Sequence, residues 1–167
     1  MKGQISFVEL LVTMSIFTTF IGYFSFQLIN FYPIYLNEVR NEELRSEAYQ
    51  LSELLINDIG EPGNWTGKYF AYVSRVGLSD ENYNKTNYLS LMKISDFDSN
   101  CSSDYNLVKS KLASSYDFSI YLFQRYPIDK QLIDCKPPVI TVSNINVTVR
   151  RIVYFGSGYG ELVVQMW

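Results

Sequence analysis

The sequence predicts an α+β fold: a long kinked N-terminal helix, membrane-spanning in its first half, packed by its second half on an antiparallel β-sheet body. Three observations predict it. No charged residue occurs from position 10 to position 37. An apolar stripe then recurs at helical spacing through an acidic segment, up to the breaker cluster Gly60-Glu61-Pro62-Gly63. Beyond that cluster lie β-branched and aromatic runs, the last two separated by the glycine-rich turn Gly156-Ser157-Gly158-Tyr159-Gly160.

The apolar stretch is longer than the roughly 20 residues a bilayer span needs. As a helix it would reach about 42 Å at 1.5 Å per residue. Thr13, Ser15, Thr18, Thr19, Ser25 and Gln27 interrupt it. Short hydroxyls are tolerated there because they bond back to helix carbonyls, and they suit close helix–helix contact in lipid. Gly22 and Pro33 are the weak points. Proline has no N–H to donate, so Pro33 is expected to kink the helix rather than end it. Past it, Leu36, Val39, Leu44, Ala48, Leu51 and Leu55 recur at steps of three to five, the mark of one buried stripe. The helix is expected to stop near Ile59. The run is not followed by a small-x-small cleavage site, and its only cation ahead is Lys2, so it reads as a retained helix rather than a removed secretory signal. Lys2 on the short side places the N-terminus inside and the body outside.

The body reads as β-rich. Residues 69–76 are apolar and aromatic. Residues 116–123 alternate in their first half, as a half-buried strand does. Residues 139–142 and 146–155 are β-branched runs, and residues 161–167 return after the glycine turn as the second arm of a hairpin. Residues 77–110 are polar and read as loops, with one short helix around 105–114. This divides the chain into a leader (1–3), a membrane or core helix (4–35), its amphipathic continuation (36–60) and the body (61–167).

Composition excludes several functions. Net charge is −3. The continuation helix carries most of it, with Glu38, Glu42, Glu43, Glu47, Glu53 and Asp58 against Arg40 and Arg45. The body is near neutral and has no basic stripe, so nucleic-acid binding is not expected of it. Histidine is absent, which removes the commonest general base and its metal sites. There is no P-loop, nucleophile elbow or Lys–Ser dyad. No catalytic residue, metal site or cofactor is expected, and the chain does not read as an enzyme. Asp96-Phe97-Asp98-Ser99-Asn100, with Asp104, resembles the start of a calcium loop. Cys101 stands where the turn glycine should be and Leu107 where the bidentate glutamate should be, so a solvated loop is the better reading. Gly156 to Gly160 has strands on both sides and no following helix, which favours a hairpin turn over a nucleotide loop.

Cys101 and Cys135 form no CxxC or zinc pattern. In an oxidising compartment they would make one disulfide, worth about 3.5–4 kcal/mol in the chain-entropy account. The other reading is two separate buried thiols. Four glycosylation sequons begin at Asn64, Asn84, Asn100 and Asn146. Asn84, in its polar segment, is the best placed, and Asn100 competes with a disulfide at its neighbour.

The sharpest local signal is Glu9, one carboxylate set inside an apolar run. A charge there costs roughly 2.5–3.5 kcal/mol in lipid and marks a function. It is either an ion-pair partner or a bilayer-edge group that snorkels or is protonated. Its surroundings resemble the N-terminus of archaeal type IV pilin-like proteins. Lys2-Gly3-Gln4 is similar to the basic-Gly-x junction cut by a prepilin peptidase. Gln4, Ser6 and Glu9 resemble the start of many such proteins, and Phe7-Val8-Glu9-Leu10-Leu11-Val12 is similar to the bacterial pilin consensus around its glutamate. Gly60-Glu61-Pro62-Gly63-Asn64-Trp65 and Gly77-Leu78-Ser79-Asp80 resemble segments of membrane-anchored pilin-like proteins more faintly. A cut after Gly3 makes Glu9 the sixth mature residue, where the family has the fifth, so the cut falls after Gln4 or the register shifts by one. The resemblance implies a structural subunit of a type IV pilus-like surface filament, membrane-anchored before assembly. Its implied partners are prepilin peptidase, membrane lipid, and copies of itself or related pilins, with Glu9 pairing to the free α-amine of a neighbour. A minor pilin or pseudopilin of a secretion, adhesion or DNA-uptake machine is one alternative. A single-span surface protein that never assembles is the other.

Overall fold

A computed structural model describes residues 2–81, 86–139 and 145–167, the side chains of residues 2–6 excepted. The architecture is α+β, with one long N-terminal helix and a four-stranded antiparallel sheet. Helix α1 runs Lys2–Asn57 and ends two residues before the expected stop. Pro33 lies inside it and does not end it. The chain forms two units, residues 1–40 and 41–167.

Within the second unit, the stripe of α1 is realised from Leu44 onward. Leu44, Ala48, Leu51, Leu55 and Ile56 are buried, Leu44 completely. Leu36 and Val39, expected to share that stripe, are exposed. Each fully buried leucine contributes on the order of 1.5–3 kcal/mol. The chain then turns through Gly60, whose φ of 80° is open to glycine but strained for other residues. Residues 77–79 run back beside the helix end. Leu78 N–H donates to the Leu55 carbonyl (2.9 Å) and Ser79 N–H to the Asp58 carbonyl (3.1 Å), which satisfies acceptors a helix terminus leaves unpaired. That approach requires Gly77: a β-carbon there would sit 2.1 Å from the Asp58 carbonyl oxygen. Trp65 fills the corner, wholly buried apart from 1% of its surface, with Nε1 donating to the Gly77 carbonyl at 3.0 Å.

Residues 69–76 do not form a strand. They make a single 3₁₀ turn, Phe70–Tyr72, and a bridge from Arg75 to Glu61. The polar segment read as loops contains helix α2, Leu91–Ser103. Lys93, Ile94, Phe97 and Cys101 are its buried residues. Helix α3, Tyr105–Lys111, matches the expected short helix, and Asp104 caps it by accepting from Leu107 N–H at 3.0 Å.

The sheet follows as β1 (Phe118–Tyr126), β2 (Lys130–Cys135), β3 (Val147–Phe155) and β4 (Gly158–Met166), in the order β2-β1-β4-β3. The β3–β4 hairpin turns through Gly156 and Ser157, with positive φ (54°) at Gly156 only, the pattern of a type II′ connection. Strand β2 was not legible as a strand, and the expected strand at 139–142 lies outside the described residues except for Val139, which is not in a strand. Pairing sorts the side chains by face. Ile120, Leu122, Ile133, Val153, Leu162 and Val164 are fully buried and join the same core as Leu44 to Ile56. Arg151, on the same inner face, donates to Ser52 Oγ, pairs with the Glu53 carboxylate and lies over the Tyr49 ring at 4.4 Å.

Two substitutions test this packing. Tyr105, only 6% exposed, donates its hydroxyl to the Phe118 carbonyl (3.1 Å) and accepts from Phe118 N–H (3.0 Å). Burial pushes its pKa up to about 12. Because the folded value lies above the unfolded one, this contribution is complete below pH 10 and is lost as pH rises towards 12; it is on the order of 3 kcal/mol. Tyr105→Phe should cost about 1–3 kcal/mol at neutral pH and flatten the alkaline limb of stability, read by denaturant titration from pH 7 to 12. Cys101 and Cys135 sit at disulfide distance, with Cα atoms 5.5 Å apart at a sequence separation of 34. The double change to serine should lower stability by about 4 kcal/mol, and reductant should leave that variant's melting curve unmoved.

Candidate functional site

The first unit carries the most unusual surface. Its large apolar side chains from Phe7 to Tyr35 are 47–70% exposed. Residues 7–57 form a helix long and apolar enough to cross a membrane. A soluble helix earns its stability from an apolar face packed on something. Here the apolar residues lie on every side, and among the described residues none of them is buried.

The polar groups of this segment are arranged to need little from water. Thr13 Oγ1 donates to the Glu9 carbonyl, Thr18 Oγ1 to Met14 and Thr19 Oγ1 to Ser15, each at 2.8 Å. Gln27 Nε2 donates to the Tyr23 hydroxyl at 2.9 Å, one turn away. Every such bond is local to the helix, as lipid demands of polar groups that cannot reach water. Glu9 is exposed. Among the described residues its carboxylate has no ion-pair or hydrogen-bond partner. Gly22 faces open space: a β-carbon there would meet nothing within 4 Å. Pro33 borders a shallow apolar groove with Leu28, Ile29, Tyr32 and Tyr35. The backbone of Lys2, Gly3 and Gln4 begins α1, and their side chains lie outside the described residues.

The acidic continuation is largely structural. In the second unit, Glu47 Oε1 accepts from Ser114 Oγ (2.8 Å) and Ser115 N–H (2.9 Å). Glu43 accepts from the Tyr116 hydroxyl at 3.2 Å. The calcium-like stretch is neither a calcium loop nor a solvated loop; it lies on helix α2. Asp96 accepts from Gly67 N–H (2.7 Å) and Asp98 from Asp134 N–H (2.8 Å), so each carboxylate fastens a neighbouring segment. Among the described residues no three acidic or sulfur ligands gather into a metal site.

The sequons separate by environment. Asn64 and Asn146 are exposed, the first accepting from Lys68 Nζ at 2.8 Å. Asn100 is half-buried in α2, with Nδ2 donating to the Asp96 carbonyl at 2.6 Å beside the paired Cys101. Asn84 lies outside the described residues. Sequence reasoning missed Lys93, 4% exposed, whose Nζ donates to the carbonyls of Ile59 and Ser79 at 2.9 Å each and faces Glu81 at 3.6 Å. Burial holds its pKa below the ordinary lysine value, opposed by Glu81. The signal available for it was its place beside Ile94 on the helical stripe completed by Phe97 and Cys101. Comparison with protein-family models, with curated proteins and with solved structures finds no match to this chain.

Proposed function

We propose that this protein is a membrane-anchored structural subunit of a type IV pilus-like surface filament, cut by a prepilin peptidase and assembled through its N-terminal helix. One observation carries the reading. A helix that is apolar on all sides and exposed there begins with Lys2-Gly3-Gln4 and holds one carboxylate, Glu9, without a partner among the described residues. Such a surface needs lipid before assembly and other helices after it. Its threonines and Gln27 already bond within the helix, so transfer out of water strands few polar groups.

In this mechanism Gly3 precedes the cut and the new α-amine of one subunit faces Glu9 of another. Opposite charges in low dielectric attract strongly, and an unpaired carboxylate there is penalised, so the pair sets the helix register. The segment from residue 10 to residue 32 forms the filament core. The tyrosine-rich body supplies lateral contacts and the outer surface, where Asn64 and Asn146 are exposed for glycosylation. Cys101 and Cys135 would be bonded in that oxidising setting.

Mass spectrometry of the N-terminal peptide, from protein taken out of native membranes or sheared surface material, tests processing. A peptide starting at Gln4 or Ile5 is expected. An intact Met1 or Lys2 would sink the filament reading and leave a single-span surface protein in its place. Gly22 tests helix packing. Gly22→Leu fills open space in the single subunit, so membrane insertion and the melting of the body should not change. Filament yield should fall several-fold, because small residues let neighbouring helices approach. Wild-type filament yield from this variant would show that no close contact forms at Gly22.

A further inference from the structure

The outer face of the sheet ends in a row of tyrosines assembled from four segments. Tyr126 of β1 pairs in register with Tyr159 of β4, and Tyr159 with Tyr154 of β3. Tyr88 bridges to Tyr154 from the segment ahead of α2. The Tyr126 and Tyr159 rings are nearly parallel, 6° apart with centroids at 6.1 Å. These rings border a cleft of about 620 Å³ that also takes in Ser157 and Gly158 and, among the described residues, is lined by no charged side chain. The cleft is of ordinary size for a small-ligand site. Gly158 lets β4 start close against the Tyr126 backbone: a β-carbon there would lie 2.3 Å from the Tyr126 carbonyl oxygen.

Core packing does not explain the row. Tyr126, Tyr154 and Tyr159 are 55%, 51% and 45% exposed. Among the described residues their hydroxyls make no hydrogen bond within the protein. Tyr88 is the anchored member, its hydroxyl donating to the Gly156 carbonyl at 3.0 Å. Tyrosines of this kind offer rigid contact area at little entropic cost, with a π-face and a hydroxyl on each ring.

We propose that this tyrosine cleft binds a neutral saccharide. The electron-rich ring faces attract the C–H face of a pyranose, whose hydrogens carry partial positive charge. The phenols and the Ser157 hydroxyl both donate and accept, as the hydroxyl rim of a sugar does. A proline-rich strand would offer acceptors almost alone and leave half of that capacity unused. Nucleic acid and acidic polysaccharide need cations beside the aromatics. Among the described residues the nearest one in sequence, Arg125, is committed to Asp129 at 3.2 Å and Glu161 at 3.1 Å. The site requires neither the membrane nor the filament, so it stands or falls apart from the assembly reading.

Saturation-transfer NMR on the full chain in detergent micelles tests it, against neutral trisaccharides of glucose, galactose, mannose and N-acetylglucosamine, with decaproline as the competing class. Transfer to the ring protons of at least one trisaccharide is expected. Tyr159→Ala should weaken binding at least tenfold, while Tyr159→Phe keeps the stacking face and loses less. If Tyr159→Ala alters the circular dichroism of the fold, Tyr126→Ala at the more exposed strand end replaces it. No transfer to any trisaccharide, transfer indifferent to both alanine variants, or tyrosine-dependent binding of decaproline in place of sugar would each overturn the proposal.

Discussion

The folded body depends on the burial of one strip of helix, Leu44 to Ile56. Those side chains share a single core with the inner face of all four strands. A four-stranded sheet with one apolar face cannot stand in water alone, because that face has to be covered. The strip covers it, and the surrounding polar chemistry fits that union. Arg151 reaches Ser52, Glu53 and the Tyr49 ring from the sheet side. The strap of residues 77–79 caps the helix end, and Lys93 draws the Ile59 and Ser79 carbonyls to one ammonium. Removing the strip would expose the sheet and orphan these partners together.

The same helix obeys a different constraint before Arg40. An α-helix pairs its interior backbone groups within one segment, which is why it tolerates surroundings that supply no hydrogen bonds. Thr13, Thr18 and Thr19 extend that self-sufficiency to side chains. Helix α2 uses the same device in a polar setting, where Ser99, Asn100 and Ser103 each donate to a carbonyl four residues back. What separates the two is what covers their apolar residues. Ile94, Phe97 and Cys101 are buried by the body, whereas Phe17, Phe20 and Phe24 are exposed.

The sheet divides chemistry by face. Period-two alternation sends Leu122, Leu162 and Val153 inward, and sends Phe123, Glu161 and Ile152 outward along one row. Glu161 holds both Arg125 and Arg150, and the bond from Arg125 is the leading cause of its pKa lying below the ordinary carboxylate value. One row further on, the outward positions are all tyrosine. That row is a property of pairing, since positions 126, 154 and 159 become neighbours only through strand register.

Local periodicity and turn chemistry were sufficient to reveal the long helix, its stripe from Leu44, the Gly156-Ser157 hairpin and the short helix at Tyr105, because each is a pattern between residues close in sequence. Helix α2 was hidden because serine, aspartate and asparagine are weak helix formers, and only contact with the core makes Ile94, Phe97 and Cys101 a face. Leu36 and Val39 had the stripe's spacing but remain exposed, because spacing says which residues can share a face and not whether anything lies against it. The sequence by itself determined the long apolar helix, the single carboxylate Glu9 within it and the α+β class. Only the tertiary structure decided that Cys101 meets Cys135, that Asp96 and Asp98 fasten backbone, and that four tyrosines converge. Those are contacts between distant segments, and they exist only once strand register and core packing have brought the segments together.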